Sequence, residues 1–456
     1  MTAKFDSVST TRTASTTCLA RTVRGGGHIG LVVLGSIASV VALSLVLVLG
    51  FFAGGTETEI TGSDLLALGF GFTLLAAAAR SFTDQPQTWA FAPGVGSAAA
   101  GLAVVFGSPS SHVLGLAGWL WPVFLLILIG WCLLGARRTL HNWSRRVLIY
   151  PALVALLLIA AGGAFETIAE ATTSNPAPRG STYLANGHQL YLNCECTGSP
   201  TVVLFNGLGE RTPSWAWVQR TLSSSTRVCS FDRAGQGWSG ASTGRQDGHQ
   251  LASDLHDLLR TARIPGPYLL AGHSVGGTYG LIYAAQYPDD VAGVALIDSA
   301  TPYQFDLAAY PAFYSAWRRA SALLPLLSRV GAARVFSRMT FATLPPDARR
   351  AARAFGSSPR ELRSDRLEFA ELPTVFEQAK AVTTLDGKPL AVLTADVGEM
   401  GGWSTFQNKL ARLSTNSEHR TAHGATHAAL LEDPTFAAIT SRTIGEVVRA
   451  VRNEGR

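Results

Sequence analysis

Five stretches of this chain contain no aspartate, glutamate, lysine or arginine: Ile29–Phe52, Leu65–Ala79, Trp89–Phe106, Val113–Leu134 and Val147–Phe165. Transport pathways usually need ionisable or polar groups inside the bilayer. Their absence points to an anchor or a lipid-facing assembly module. Cysteine is scarce as well, with five in 456 residues. That is too few for a disulfide scaffold, and none has the histidine spacing of a zinc site. Cys194 and Cys196 form a C-x-C pair, but no third and fourth ligand stands nearby. The net charge of +6 is not interleaved with aromatics, which excludes a nucleic-acid footprint. The basicity belongs to membrane topology and surface.

A helix needs about 20 apolar residues to cross the bilayer core. The first, fourth and fifth stretches meet that length or nearly so, while the second and third are short and glycine-bearing. The expectation is about five membrane helices over residues 28–166. A Ser/Thr-rich tail with Arg12, Arg21 and Arg24 precedes them and reads as disordered over 1–27. The first stretch lacks a small-residue cleavage site, so it reads as an anchor and not a removable signal. Arg80 follows the second stretch, and Arg137, Arg138, Arg145 and Arg146 lie between the fourth and fifth. Positive loops stay cytoplasmic. Five helices with the N-terminus inside satisfy every such loop and send the C-terminal part outside, at a plasma membrane. A polar, proline-bearing linker over 167–181 follows.

From Thr182 the pattern changes to short apolar strands alternating with helices, which implies a mostly parallel sheet covered on both faces. A hairpin turning at Asn186-Gly187 opens it. Strands are then expected at Thr201–Phe205, Arg227–Phe231, Tyr268–Ala271, Val291–Ile297, Leu390–Thr394 and Glu418–Thr421. An arginine-rich helical insertion over about 301–387 interrupts the alternation. It should sit over the strand C-termini, where such sheets bind ligands.

The strand at Tyr268 runs into Gly272-His273-Ser274-Val275-Gly276, with a helix expected from about Thr278. This G-x-S-x-G spacing suits a serine nucleophile at a sharp strand-to-helix turn. Small residues two before and two after let the neighbouring chain pass close. Standing alone, the pentapeptide fits a glycine-rich turn about as well.

Three more segments occur in order: Phe205-Asn-Gly-Leu-Gly209, Phe231-Asp-Arg-Ala-Gly-Gln-Gly237 and His427-Ala-Ala-Leu-Leu-Glu-Asp-Pro434. Together the four motifs resemble the α/β-hydrolase fold family, serine esterases and lipases included, from Thr182 to the C-terminus. The resemblance implies an eight-stranded, mostly parallel sheet with a helical cap. It makes Ser274 the nucleophile, His427 its base, and the backbone N–H groups of Leu208 and Val275 the oxyanion hole. Asn206 stands where the family often has histidine. The acid is expected in a G-x-x-D sequence after the seventh strand, where this chain has Gly398 instead. Asp298, at the end of the sixth strand, is the first candidate, with Glu399 and Asp396 as alternatives. Asp232 reads as structural, and His273 as packing beside the turn.

The function so implied is a membrane-anchored hydrolase of carboxylic esters or related acyl bonds, acting through an acyl-enzyme with no metal or organic cofactor. Its partners would be a small-molecule or lipid-like acyl substrate and membrane lipids, with no nucleic acid. An aminopeptidase or thioesterase uses the same machinery. A catalytically inactive binding module of a membrane assembly is the alternative from another class. In this fold the second and fourth strands are neighbours, so Cys229 can form a disulfide with Cys194 or Cys196. Buried free thiols are the other possibility.

Overall fold

The computed structural model describes residues 28–454, apart from 141–145, 174, 178, 243 and 245. The expected tail over 1–27 and the loop residue Arg145 lie outside the described residues. The chain divides into two units, one made of 1–52, 58–109 and 121–160, the other of 53–57, 110–120 and 161–456.

In the first unit α1 (Ile29–Val46) runs on as a wider turn over Leu47–Phe51. It is followed by α2 (Glu57–Phe82), α3 (Phe91–Gly107) and α5 (Trp121–Thr139), while the short α4 (Ser111–Ala117), between α3 and α5 in sequence, belongs to the second unit. α6 (Tyr150–Thr172) begins in this unit. Among the described residues five helices, counting Thr88–Gly107 as one, are long and apolar enough to cross a membrane. Large side chains such as Leu31, Phe106, Phe124 and Leu158 are exposed on them, as expected of helices that are hydrophobic all round. Ile29, Val33, Leu75, Cys132 and Leu153 form a small interior.

Several boundaries differ from those the sequence suggested. The fourth stretch is two helices, because Pro122 fits only the first turn of α5 and forces a break before it. The second is longer than expected, since its polar first turns are helical and carry Glu57, Glu59 and Asp64. The start of the linker at 167 is also helical, for Glu166-Thr-Ile-Ala-Glu-Ala continues α6 to Thr172.

The second unit holds an eight-stranded sheet in the order β1-β2-β4-β3-β5-β6-β7-β8. The strands are β1 (Ser181–Ala185), β2 (His188–Glu195), β3 (Thr201–Phe205), β4 (Val228–Asp232), β5 (Tyr268–His273), β6 (Val291–Ile297), β7 (Leu390–Val397) and β8 (Ser417–Thr426). β1 and β2 are antiparallel to their neighbours, and the rest are parallel. All side chains of β3, β4 and β5 are buried, as central parallel strands covered on both faces require. Asn186 and Gly187 both take positive φ (45° and 82°), the geometry of a tight two-residue hairpin.

On one face pack α8 (Gly248–Thr261) and α9 (Val275–Gln286), on the other α7 (Ala216–Leu222) and the terminal α17 (Pro434–Glu454). α8 is N-capped by Asp247, whose side chain accepts from the Gln250 N–H at 3.0 Å. It buries Leu251, Leu255, Leu258 and Leu259, one apolar stripe at helical spacing. Between β6 and β7 lies the cap: α10 (Tyr310–Ser321), α11 (Leu324–Arg329), α12 (Ala332–Ser337), α13 (Pro346–Ser357) and α14 (Pro359–Ala379). Two further helices, α15 (Trp403–Ala411) and α16 (Ala429–Glu432), flank β8.

Register places Cys194 of β2 directly opposite Cys229 of β4. The two are joined in a disulfide, and Cys196 is left free and exposed.

Candidate active site

α9 begins at Val275, immediately after the serine and three residues earlier than expected. Glycine is a poor helix former, so Gly276 and Gly277 point to a later start. Packing overrides that preference: a Cβ on Gly276 would strike the carbonyls of Phe205 and Asn206, and one on Gly272 would strike the backbone of Gly276 and Gly277. The crossing of β5 and α9 is close enough to exclude any side chain at either position.

Ser274 is held at φ 56°, ψ −131°, a conformation that costs a non-glycine residue free energy unless its surroundings fix it. They do so through the backbone. Its N–H donates to Ile297 O at 3.1 Å, and its carbonyl accepts from Gly277 at 3.1 Å and Ala300 at 2.9 Å. The Val275 N–H, at the first turn of α9, has no intrahelical acceptor.

The loop after β3 forms the other wall. Arg233 donates to Asn206 O at 2.6 Å and to Gly207 O at 2.9 Å, and pairs with Glu368 of α14 at 2.8 Å. The Asn206 amide donates to Phe231 O at 2.8 Å, so the asparagine ties this loop to β4. Asp232 is fully buried and accepts from the Thr212 and Trp238 N–H groups at 2.8 and 3.1 Å. It is a structural brace.

Asp298 follows β6 at φ 42°. Its Oδ2 lies 2.6 Å from His427 Nδ1, and its Oδ1 accepts from the Trp403 indole at 2.7 Å and the Ala395 N–H at 3.3 Å. Burial would raise its pKa, but the His427 hydrogen bond and charge, with the Trp403 donor, hold it below the ordinary carboxylate value. Its side chain is buried, whereas that of His427 is about half exposed, on the cavity.

Ser274, Asp298, His427, Leu208 and Val275 all line one cavity of about 300 Å³. Tyr310, Phe313 and Trp317 of α10 and Phe369, Leu372 and Phe376 of α14 furnish its apolar side. The two alternative acids are placed differently. Glu399 lines the cavity but is exposed beyond the end of β7. Asp396 turns to β8, where it meets His423 Nδ1 at 2.9 Å and accepts from the Gly424 N–H at 2.8 Å.

Three residues of the site escaped the sequence reading. Trp403 is separated from Asp298 by 105 positions, and no motif links them. Glu210 lies 2.5 Å from Nδ1 of the fully buried His273 and accepts from the Gly207 N–H at 2.5 Å. The other ring nitrogen, Nε2, lies 3.0 Å from the His427 carbonyl. Thus His273 does more than pack: it joins the loop after β3 to the loop after β8. Arg211 acts likewise, reaching Glu361 at 2.7 Å and Asp365 at 2.5 Å on α14. Buried pairs of this kind fix geometry more than they add stability.

The alpha/beta hydrolase fold model matches residues 200–434, just over half of the chain, and the chain belongs to that family. Among curated proteins, an uncharacterised protein of Schizosaccharomyces pombe is 27% identical over 248 residues, covering 51% of this chain and 43% of that one. Fluoroacetate dehalogenase of a Burkholderia species is 31% identical over 118 residues, 25% of this chain and 38% of the enzyme. The 2-(acetamidomethylene)succinate hydrolase of Mesorhizobium japonicum is 32% identical over 117 residues, 25% and 41% respectively. The chain spans less than half the length of each of these. Among solved structures, the Cif epoxide hydrolase of Acinetobacter nosocomialis matches with TM-score 0.53 at 13% identity, over 64% of this chain and 96% of that one. It establishes the fold.

Proposed function

We propose that the chain is a membrane-anchored serine hydrolase cleaving carboxylic esters or related acyl bonds of apolar substrates. The observation that carries this reading is the 2.6 Å contact of Asp298 with His427 Nδ1, beside a serine at the strand-to-helix turn on the same cavity. Asp298 fixes the imidazole so that Nε2 is the basic nitrogen. Nε2 takes the hydroxyl proton as Ser274 Oγ attacks the carbonyl carbon, and the developing oxyanion is met by the Val275 and Leu208 N–H groups. The proton passes to the departing alkoxide. Water then repeats the sequence on the acyl-enzyme, releasing the acid and freeing Ser274.

The dehalogenase and epoxide hydrolase chemistries of its relatives need a carboxylate nucleophile at the turn. Serine there favours acyl transfer. The aromatic and aliphatic side chains of α10 and α14 suit a neutral, apolar acyl group. The five apolar helices are read as membrane spans, with the N-terminus cytoplasmic and the hydrolase domain outside. The test is hydrolysis of p-nitrophenyl esters of graded acyl length by the full chain in neutral detergent. Activity should be lost in Ser274→Ala. An inactive wild type that is folded, or an unaffected Ser274→Ala, favours a binding module.

A further inference from the structure

A second cavity, sharing no lining residue with that of Ser274, is formed largely by α12 and α13 of the cap. It measures about 440 Å³, and Arg334, Arg338, Arg349, Arg350 and Arg353 line it together with Thr173. Among the described residues its lining holds five guanidinium groups and no carboxylate. Arg334 is neutralised by Glu166, with contacts at 2.7 and 2.8 Å. Arg350 meets the exposed Asp347 at 3.2 Å. Arg349 and Arg353 are oriented by the carbonyls of Ala342 and Thr340, at 2.8 and 3.0 Å. Each of these two uses one nitrogen in that contact, which leaves the rest of a five-donor fork available. Guanidinium forks of this kind match phosphate oxygens in pairs.

Two features beside it point to the source of the phosphate. Val335, Phe336 and Met339 interleave with the arginines and are 59%, 62% and 71% exposed. A soluble surface has no use for three such side chains together, whereas a bilayer interface takes up apolar residues set among basic ones. Thr173 is also the residue after α6. The cavity therefore opens where the last apolar helix ends, at headgroup height if that helix spans the bilayer.

We propose that this cavity binds the phosphate of an anionic phospholipid headgroup, with Val335, Phe336 and Met339 dipping into the acyl boundary. Lipid so held would keep the cap at the membrane surface. The proposal rests on the reading of α6 as a membrane span, but not on the orientation of the chain or on catalysis by Ser274.

Native mass spectrometry of the full chain in neutral detergent, titrated with phosphatidylglycerol or phosphatidylcholine, tests it. Wild type should retain phosphatidylglycerol preferentially. Arg338→Gln with Arg350→Gln should weaken that binding roughly 30-fold, given the contribution of each basic group near an anionic surface. Phosphatidylcholine binding should stay unchanged. Arg442→Gln with Arg449→Gln removes the same charge from the exposed face of α17 and should leave phosphatidylglycerol binding intact. Phe336→Ser, which alters no charge, should weaken it also. Equal retention of the two lipids, or equal losses in the two charge pairs, overturns the proposal. So does displacement of the lipid by equimolar inorganic phosphate, which would make this a free-phosphate site. A reversed orientation of the chain would instead appear in a topology reporter and leave the lipid titration unchanged, and loss of esterase activity in Ser274→Ala would leave it unchanged too, so those failures are distinguishable from this one.

Discussion

The indole N–H of Trp403 meets Oδ1 of Asp298 at 2.7 Å, on the oxygen opposite the one that faces His427. Asp298 is therefore fixed from both sides, and the helix α15 that follows β7 becomes part of the apparatus orienting the imidazole. Asp298→Asn should leave the fold intact and lower kcat by about three to four orders of magnitude, because the wrong imidazole tautomer is favoured. Trp403→Phe should cost roughly tenfold, the value of a hydrogen bond to a charged group. Asp396→Asn and Glu399→Gln should stay within about twofold of wild type. Steady-state kinetics on the four variants, with circular dichroism as the folding control, checks the ranking.

The buried His273–Glu210 contact and its neighbour Glu432 predict a pH dependence of stability. Burial alone would lower the pKa of His273, but the Glu210 carboxylate outweighs it and holds the value above the ordinary 6.5. Burial would raise Glu210, yet the His273 charge and hydrogen bonds hold it below 4.5. Burial and the Glu210 charge push Glu432 up to about 7, partly offset by His273. The stabilisation from His273 is complete below pH 6.5 and is lost as pH rises through its raised value. That from Glu210 is present above 4.5 and lost on acidification through its lowered value. Glu432 works against folding increasingly as pH rises from 4.5 to about 7. Thermal unfolding from pH 4 to 9 should thus show Glu432→Gln more stable than wild type above pH 7 and indistinguishable below 4.5. Glu210→Gln should be most costly near pH 5–6.

The disulfide closes a loop of 35 residues between the second and fourth strands. Removing it by Cys229→Ala should destabilise the domain by about 2–4 kcal/mol. Peptide mapping without reduction should recover Cys194 linked to Cys229, with Cys196 alkylated. A linked Cys196, or a full set of alkylated thiols, would contradict the pairing.

A reporter fused after Arg456 checks the topology. Alkaline phosphatase, active only outside the cytoplasm, should be active there, and a cytoplasmic fluorescent reporter should be dark. The reverse pattern would overturn the arginine-loop argument.

Much of the fold is legible in the sequence because it is written locally. Apolar runs of four to seven residues mark β3, β5 and β6, Asn186-Gly187 marks the hairpin, and the charge-free stretches mark the long helices. The glycines at 272 and 276 mark a close backbone crossing. What is not legible depends on distance along the chain. Nothing near Asp298 announces Trp403, and nothing near His273 announces Glu210, because those contacts form only once β6 lies beside β7 and β3 beside β5. Helix ends misled where propensity and packing disagree. Gly276 and Gly277 look unhelical yet open α9, since only glycine fits that crossing. The polar segment after 166 looks like linker yet continues α6, since Glu166 finds Arg334.

On the proposed mechanism Ser274 is a nucleophile made reactive by His427. The most direct measurement is the site of covalent labelling by a fluorophosphonate, located by peptide mass spectrometry on the full chain in neutral detergent. One adduct is expected, on the peptide carrying Ser274, absent in Ser274→Ala and slowed by orders of magnitude in His427→Ala. A folded wild-type chain that takes no label, or takes it at another serine with Ser274 unmodified, would contradict it.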